Sequence, residues 1–337
     1  AAAIAGLAQE AEATAAGATF ERPADAGHGH YSSNAAMRLA PVLGKAPRDI
    51  AAQLGDVLLT DLGDTLDAYD VAGPGFLNLK LSSQWLRGAV GSVLNASSNF
   101  GRGKVTDQRV LIEFVSANPT GPLTAAGGRH AAYGDALANV VEFAGATAER
   151  EYYINDYGSQ VLNLGRSVLA RAKGEEPPED GYQGEYVAEL AEQIEPTDDP
   201  AQAAELAVEL MVAQIKAALE RFGVKFDTWF SERTLHGLDA DDAATQQALE
   251  LLDAAGHTYE RDGALWLRST DFGDDKDRVL RRSEGALTYF AADIAYHQHK
   301  RARGFDRLID IWGADHHGYV PRMKAAFAAL GDDPERL

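Results

Sequence analysis

Apolar positions along this chain change period several times, and each change predicts an element. Leu111 to Val115 is a short apolar run that meets Pro119, Gly121 and Pro122, so it reads as a strand ending in a tight turn. Ala132, Tyr133, Ala136, Leu137, Val140 and Val141 then recur at helical spacing, which predicts one buried helix face, and Gly145 is placed to stop that helix. Glu151 to Ile154 returns to a strand pattern. Before this unit the chain shows a helix-like start at Ala1 to Ala8, helices over Ser33–Leu43 and Pro47–Leu59, and a strand over Phe76–Leu81. After it, residues 165–262 turn mostly helical, with Val187–Ile194 and then Ala201–Phe222, broken by the charged loop Gly174–Gly181. Strand and helix patterns resume at Ala264–Leu267, Leu287–Phe290 and Leu308–Trp312, and no internal repeat is present.

Strand, glycine-containing turn, helix, strand is the unit in which free backbone N–H groups and the helix dipole offer an anion site at the carboxyl end of a sheet. Nucleotide phosphate is its default guest. At 337 residues the chain exceeds one typical core, and about 150 residues per domain predicts two or three units. No apolar run has membrane-spanning length, and the first residues lack the basic flank of an export signal, which predicts an intracellular chain with no membrane partner. Cysteine is absent, so disulfides and thiolate metal sites are excluded. A net charge of -20 argues against indiscriminate nucleic-acid binding, although Arg278, Arg281 and Arg282, or Lys300, Arg301 and Arg303, could form a local basic face.

The wording of the turn is more specific than its glycine. Glu113-Phe114-Val115-Ser116-Ala117-Asn118-Pro119-Thr120-Gly121-Pro122-Leu123 resembles the block that introduces the first signature of arginyl-tRNA synthetases, class I enzymes that activate arginine with ATP and transfer it to tRNA. Ala131–Asn139, Glu151–Asp156, Asp271–Leu280 and Ile311–Pro321 resemble further family blocks in family order, and Gly73–Asn78 resembles one from the family's amino-terminal domain, which touches tRNA. The resemblance implies an α/β chain: a small α+β amino-terminal domain over 1–85, then a Rossmann-like parallel-sheet nucleotide-binding domain over 105–337 with a mostly helical insertion at about 165–262. It implies L-arginine, ATP with Mg2+ as substrate, and tRNA-Arg as partners, no protein-bound metal, a monomer, and a cytoplasmic location.

One departure falls in the signature. The family carries a His-x-Gly-His sequence where this chain has Thr124, Ala125, Ala126 and Gly127. In the family those histidines bond the ATP phosphates, and a donor to developing charge contributes a few kcal/mol. Thr124, Gly127 and the nearby Arg129 are therefore the candidate catalytic positions, with Pro122, Leu123, Ala126, Gly313, Asp315 and His316 as candidate ATP contacts. Weakened catalysis follows from the two missing imidazoles and the added Cβ at Ala126. Family members also continue into a Lys-Met-Ser-Lys-Ser type loop and an anticodon-binding domain that this sequence does not contain.

Arginine's planar cation is matched best by carboxylates that accept two parallel hydrogen bonds. Tyr289 and Asp293, four apart on a helix, resemble the family pair that grips the guanidinium, with Glu113 as a third partner; Ser116 and Asn118 resemble the residues at the amino and carboxylate ends. The rival from another class is a non-catalytic relative that binds arginine or tRNA for regulation, and a weaker one transfers arginine to another acceptor. His316–His317 and Gly27–His30 do not supply a full zinc set. Asp271-Phe272-Gly273 has the wording of a kinase triplet but no accompanying Gly-rich loop.

Overall fold

The structure, a computed structural model, describes residues 17–236 and 243–337. The helix-like start at Ala1 to Ala8 lies outside the described residues. The chain divides into two compact units, Ala1–Gly101 and Arg102–Leu337.

The first unit is a four-stranded antiparallel sheet of β1 (Phe20–Glu21), β2 (Tyr31–Ser33), β3 (Leu66–Ala72) and β4 (Phe76–Leu81), in the order β1-β2-β4-β3. Two helices, α1 (Ala35–Leu43) and α2 (Pro47–Leu62), contribute Ala36, Leu39, Ile50 and Leu54 to a core shared with Leu66, Leu77 and Leu79. Pro47 opens α2, where its missing N–H costs nothing. A third helix, α3 (Ser83–Ala96), is capped by Ser82, whose hydroxyl accepts from the Trp85 amide at 3.0 Å. The Gly27–His30 stretch is the β1–β2 loop, where His30 Nδ1 accepts the Leu81 amide at 3.0 Å.

The second unit is built on a parallel sheet of β5 (Arg109–Glu113), β6 (Thr147–Ile154), β7 (Thr228–Ser231) and β11 (Arg307–Asp310), in the order β11-β5-β6-β7. Val110, Leu111 and Ile112 are buried on both faces of the sheet, which explains the unbroken apolar run. Helix α4 (Ala125–Phe143) crosses from β5 to β6. Its buried face is Ala131, Gly134 and Ala138, while Tyr133 and Val140 of the expected stripe are more than 60% exposed. The reason is closeness of approach: a Cβ at Gly134 would stand 2.2 Å from the Phe114 ring, so only small residues fit against the sheet. Gly145 ends the helix region at φ 108°, and a Cβ there would meet the Lys104 carbonyl.

Three helices, α5 (Ser159–Ala172), α6 (Glu185–Gln193) and α7 (Pro200–Arg221), fill the crossover from β6 to β7. The stretch 165–262 is thus helical through α7 but also contains β7, a strand of the main sheet. Four residues, Thr-Trp-Phe-Ser, are too few to declare a period of two. Beyond it lie α8 (Arg233–His236), α9 (Ala243–Ala254) and an antiparallel sheet of β8 (Thr258–Arg261), β9 (Ala264–Leu267) and β10 (Arg278–Arg281). Leu287 makes a single bridge to Arg281, and Thr288 then caps α10 (Tyr289–Ala302), which leads into β11 and α11 (Val320–Ala329). Among the described residues no helix is long and apolar enough to cross a membrane.

Candidate active site

Strand order reverses between β5 and β11: the chain runs outward from β5 to β6 to β7, then returns to pair on β5's other edge. Open parallel sheets form their ligand crevice at such a point, outside the carboxyl ends of the two strands. A cavity of about 420 Å³ lies there, walled by Glu113, Val115 and Ser116 beyond β5, by Ile311 to Gly313 beyond β11, and by Asp293, Tyr296 and His297 of α10.

The turn after β5 is held in an unusual conformation. Val115 and Ser116 both have positive φ, 68° and 41°, which is rare for a β-branched residue. The surroundings fix it: Ser116 Oγ donates to Glu113 Oε1 at 2.8 Å and accepts from the Tyr153 amide at 3.1 Å, while Asn155 Nδ2 donates to the Ser116 carbonyl at 3.0 Å. Tyr152 and Tyr186 donate to the carbonyls of Ala117 and Thr120. Strain concentrated at a crevice is a mark of a functional turn.

Beneath the cavity runs a buried charge network. Lys300, wholly enclosed, donates to Glu113 Oε2 at 2.5 Å and to Asp310 Oδ1 at 2.7 Å. Burial alone would lower its pKa, but Asp310 and Glu113 outweigh burial and raise it. Burial likewise works to raise Asp310, yet Lys300 and His297 hold its carboxyl well below the usual range. Both ring nitrogens of His297 are engaged, Nε2 with Asp310 Oδ2 and Nδ1 with the Asp293 carbonyl, each at 2.7 Å. Asp293 differs: among the described residues no cation is bonded to its carboxylate. Burial pushes it up to about 6, against the hydrogen bond it accepts from the Tyr319 hydroxyl.

Glu113, Ser116, Asp293, Gly313 and His316 all line this cavity. Asn118 and Tyr289 line an adjoining hollow of about 280 Å³ that Asp293 shares, with Asn118 Nδ2 bonded to Gln160 Oε1 at 2.6 Å and Tyr289 76% exposed at the rim. Both carboxylate oxygens of Glu113 are engaged, Oε1 by the Ser116 hydroxyl and Oε2 by Lys300. Asp315 lies outside the wall and contacts His316 Nδ1 at 3.2 Å. Pro122 and Leu123 line a separate cleft against Gln214 to Arg221 of α7. Thr124 caps α4 by accepting the Gly127 amide at 3.3 Å; Ala126 and Arg129 are exposed. None of Thr124, Ala126, Gly127 and Arg129 is among the cavity residues, whereas His130 is.

The two expected basic clusters are largely taken up in ion pairs. Arg278 clasps Asp274 through two 2.8 Å bonds, Arg301 pairs with Asp332, Arg303 reaches Glu151 at 2.6 Å, and Lys300 is inside the protein. Sequence reasoning missed Lys300, His297, Tyr319 and His130. A signal for two of them existed: Asp293, His297 and Lys300 fall at i, i+4 and i+7 on a helix whose other residues on that side are apolar, the spacing of one polar face turned inward. The Asp271–Gly273 triplet sits in a short turn with Phe272 packed on His257.

Residues 1–81 match the family model of the arginyl tRNA synthetase N terminal domain. The chain is 49% identical over 327 residues to an arginine–tRNA ligase of Frankia alni, covering 94% of this chain and 58% of that protein. It is 46% identical over 351 residues to the arginine–tRNA ligase of Bacillus licheniformis, covering 99% and 62%. This chain belongs to the arginyl-tRNA synthetase family. A solved Campylobacter jejuni structure described as an arginyl tRNA synthetase superposes with a TM-score of 0.70 at 38% identity, over 76% of this chain and 59% of that one. The Thermus thermophilus arginyl-tRNA synthetase, at 21% identity, shares the fold with a TM-score of 0.61 over 99% of this chain and 63% of that one. This member spans about three fifths of the length of the curated relatives it matches.

Proposed function

We propose that this chain carries the arginine-activating part of an arginine–tRNA ligase. In that reading arginine and ATP, the latter with Mg2+ as part of the substrate, give arginyl-adenylate and pyrophosphate, and the arginyl group passes to tRNA-Arg in the cytoplasm. The arginine carboxylate attacks the α-phosphorus and pyrophosphate leaves. No covalent enzyme intermediate is required, so positioning and charge stabilisation supply the rate. The single observation that carries the reading is the Asp293 carboxylate, enclosed at the switch-point cavity and bonded to a tyrosine rather than to a cation. Asp293 would take the guanidinium, with Tyr289 over it at the rim; Ser116 and Asn118 would hold the amino acid end; Gly313 and His316 would border the nucleotide. Glu113, with its oxygens bonded to Lys300 and Ser116, would act by fixing Ser116 rather than by direct charge pairing.

Calorimetry with L-arginine and citrulline tests this. Arginine should bind and citrulline should not, because an unpaired buried carboxylate costs several kcal/mol. Equal affinities, or no arginine binding, would remove the basis for the reading. With no imidazole at Thr124 or Gly127, we expect arginine-dependent ATP–pyrophosphate exchange by the 337-residue chain to be small.

A further inference from the structure

We infer that His130 is the side chain through which α4 contacts the phosphates of ATP, a role that rests on the activation reading above. Gly127 and His130 are three residues apart on α4 and therefore neighbours on one helix face. Gly127 offers no side chain, and a Cβ there would stand 2.6 Å from Leu123 Cδ1, so that place on the face is filled by Leu123. One turn further along, His130 reaches the cavity wall.

Its chemistry is unoccupied. Of the cavity's three imidazoles, His297 has both nitrogens engaged and His316 shares Nδ1 with Asp315, whereas His130 has no hydrogen-bond partner among the described residues. The other cationic group at this site, Lys300, lies below the floor between two carboxylates and is not available to a ligand. A polyphosphate entering a cavity that already holds Glu113 and Asp293 needs a donor that can also carry positive charge. His130 meets that need, since an imidazole beside a phosphate gains a proton and a charge-assisted bond.

The test compares the intact chain with His130→Ala and His130→Gln, using calorimetry with MgATP, adenosine and L-arginine. The Ala variant should lose on the order of tenfold in MgATP affinity, with adenosine and arginine unchanged; Gln should recover part of the loss by donating from its amide. In the wild-type chain the His130 ring resonances, followed by NMR, should move on adding MgATP and stay in place on adding adenosine. Equal MgATP affinity in wild type and His130→Ala overturns the inference and leaves the functional reading standing. Equal losses for MgATP and adenosine also overturn it, since they would mark His130 as packing. Absent arginine binding with a His130-dependent MgATP affinity would overturn the functional reading alone.

Discussion

Replacing Lys300 with Met tests the network under the cavity. The two side chains are close in length, so the packing change is small and the loss is electrostatic. Lys300 is fully buried, with Nζ 2.5 Å from Glu113, 2.7 Å from Asp310 and 4.3 Å from the centre of the Tyr296 ring. Removing one partner of a buried pair typically costs about 3–5 kcal/mol, because the other charge is left uncompensated. Here two carboxylates lose their shared cation, although Asp310 keeps His297 and Glu113 keeps Ser116, which places the expectation within that range, or a melting point lower by roughly 10 °C. The pH dependence has a definite sign. Asp310 is held below its ordinary value, so its contribution is fully present above about pH 4 and fades as pH falls toward the folded-state pKa. In Lys300→Met the largest part of that contribution is lost, leaving what His297 supplies. The gap between wild type and variant should therefore be widest at neutral pH and narrow in acid, as the stranded carboxylates take up protons. Urea unfolding followed by tryptophan fluorescence at pH 7 and near pH 3.5 measures both values. A loss under about 1 kcal/mol, or a gap that does not change with pH, would refute the network's role.

Asp293 titrates in the opposite sense, and arginine binding should report it. Burial raises it to about 6 from an ordinary value near 4, so the folded protein holds this proton between those values, and losing it there costs stability as pH rises. A guanidinium needs the ionised form, so arginine affinity should climb from about pH 5 and level off above about pH 6.5, with proton release seen by calorimetry in buffers of different ionisation heat. Asp293→Asn should abolish the climb and bind arginine much more weakly than Asp277→Asn, whose carboxylate bonds Thr270 and Tyr259 away from the cavity; a slope that persists in Asp293→Asn would assign it elsewhere. Gly134→Val should destabilise by more than about 1–3 kcal/mol in thermal unfolding, because its Cβ would sit inside the Phe114 ring's contact distance. Gly127→His should lower the melting point rather than restore exchange, unless Leu123 is shortened in the same molecule.

Three of the parallel sheet's four strands were legible, all but β7: Val110 to Ile112 is continuously apolar, and the prolines and glycine after it stop the strand where the crevice opens. The docking face of α4 was not, because a helix lying close on a sheet presents small residues, and Ala131, Gly134 and Ala138 carry almost no hydropathy signal next to Tyr133 and Val140. The positive φ values at Val115 and Ser116 were equally hidden, since no glycine marks them and the bonds from Tyr153 and Asn155 that enforce them come from a strand about 40 residues away. Asp293 was found by its resemblance and spacing, yet its distinctive state depends on Tyr319, 26 residues on, which only the folded chain brings to it. Lys300 was grouped into a local basic face because it sits beside Arg301 in sequence; the helix turns one inward and the other toward Asp332.

The pairing of Lys300 with Glu113 also bears on why a cavity lined by several acids would select a ligand with a single positive charge. If Glu113 and Asp293 both faced the ligand without a counter-ion, their mutual repulsion would raise both pKa values and favour a divalent or doubly charged guest. The buried ammonium, shared between Glu113 Oε2 and Asp310 Oδ1, occupies one oxygen of each, while Ser116 stays fixed by the same glutamate's second oxygen. One carboxylate, Asp293, then remains to be matched by one guanidinium, and its hydrogen bond from Tyr319 stabilises the ionised form until the ligand arrives. Discrimination in the proposed pocket would thus come from which carboxylate is left without a bonded cation, set by a residue that touches no substrate, and altering Lys300 would change what binds at Asp293 without altering the wall it binds to.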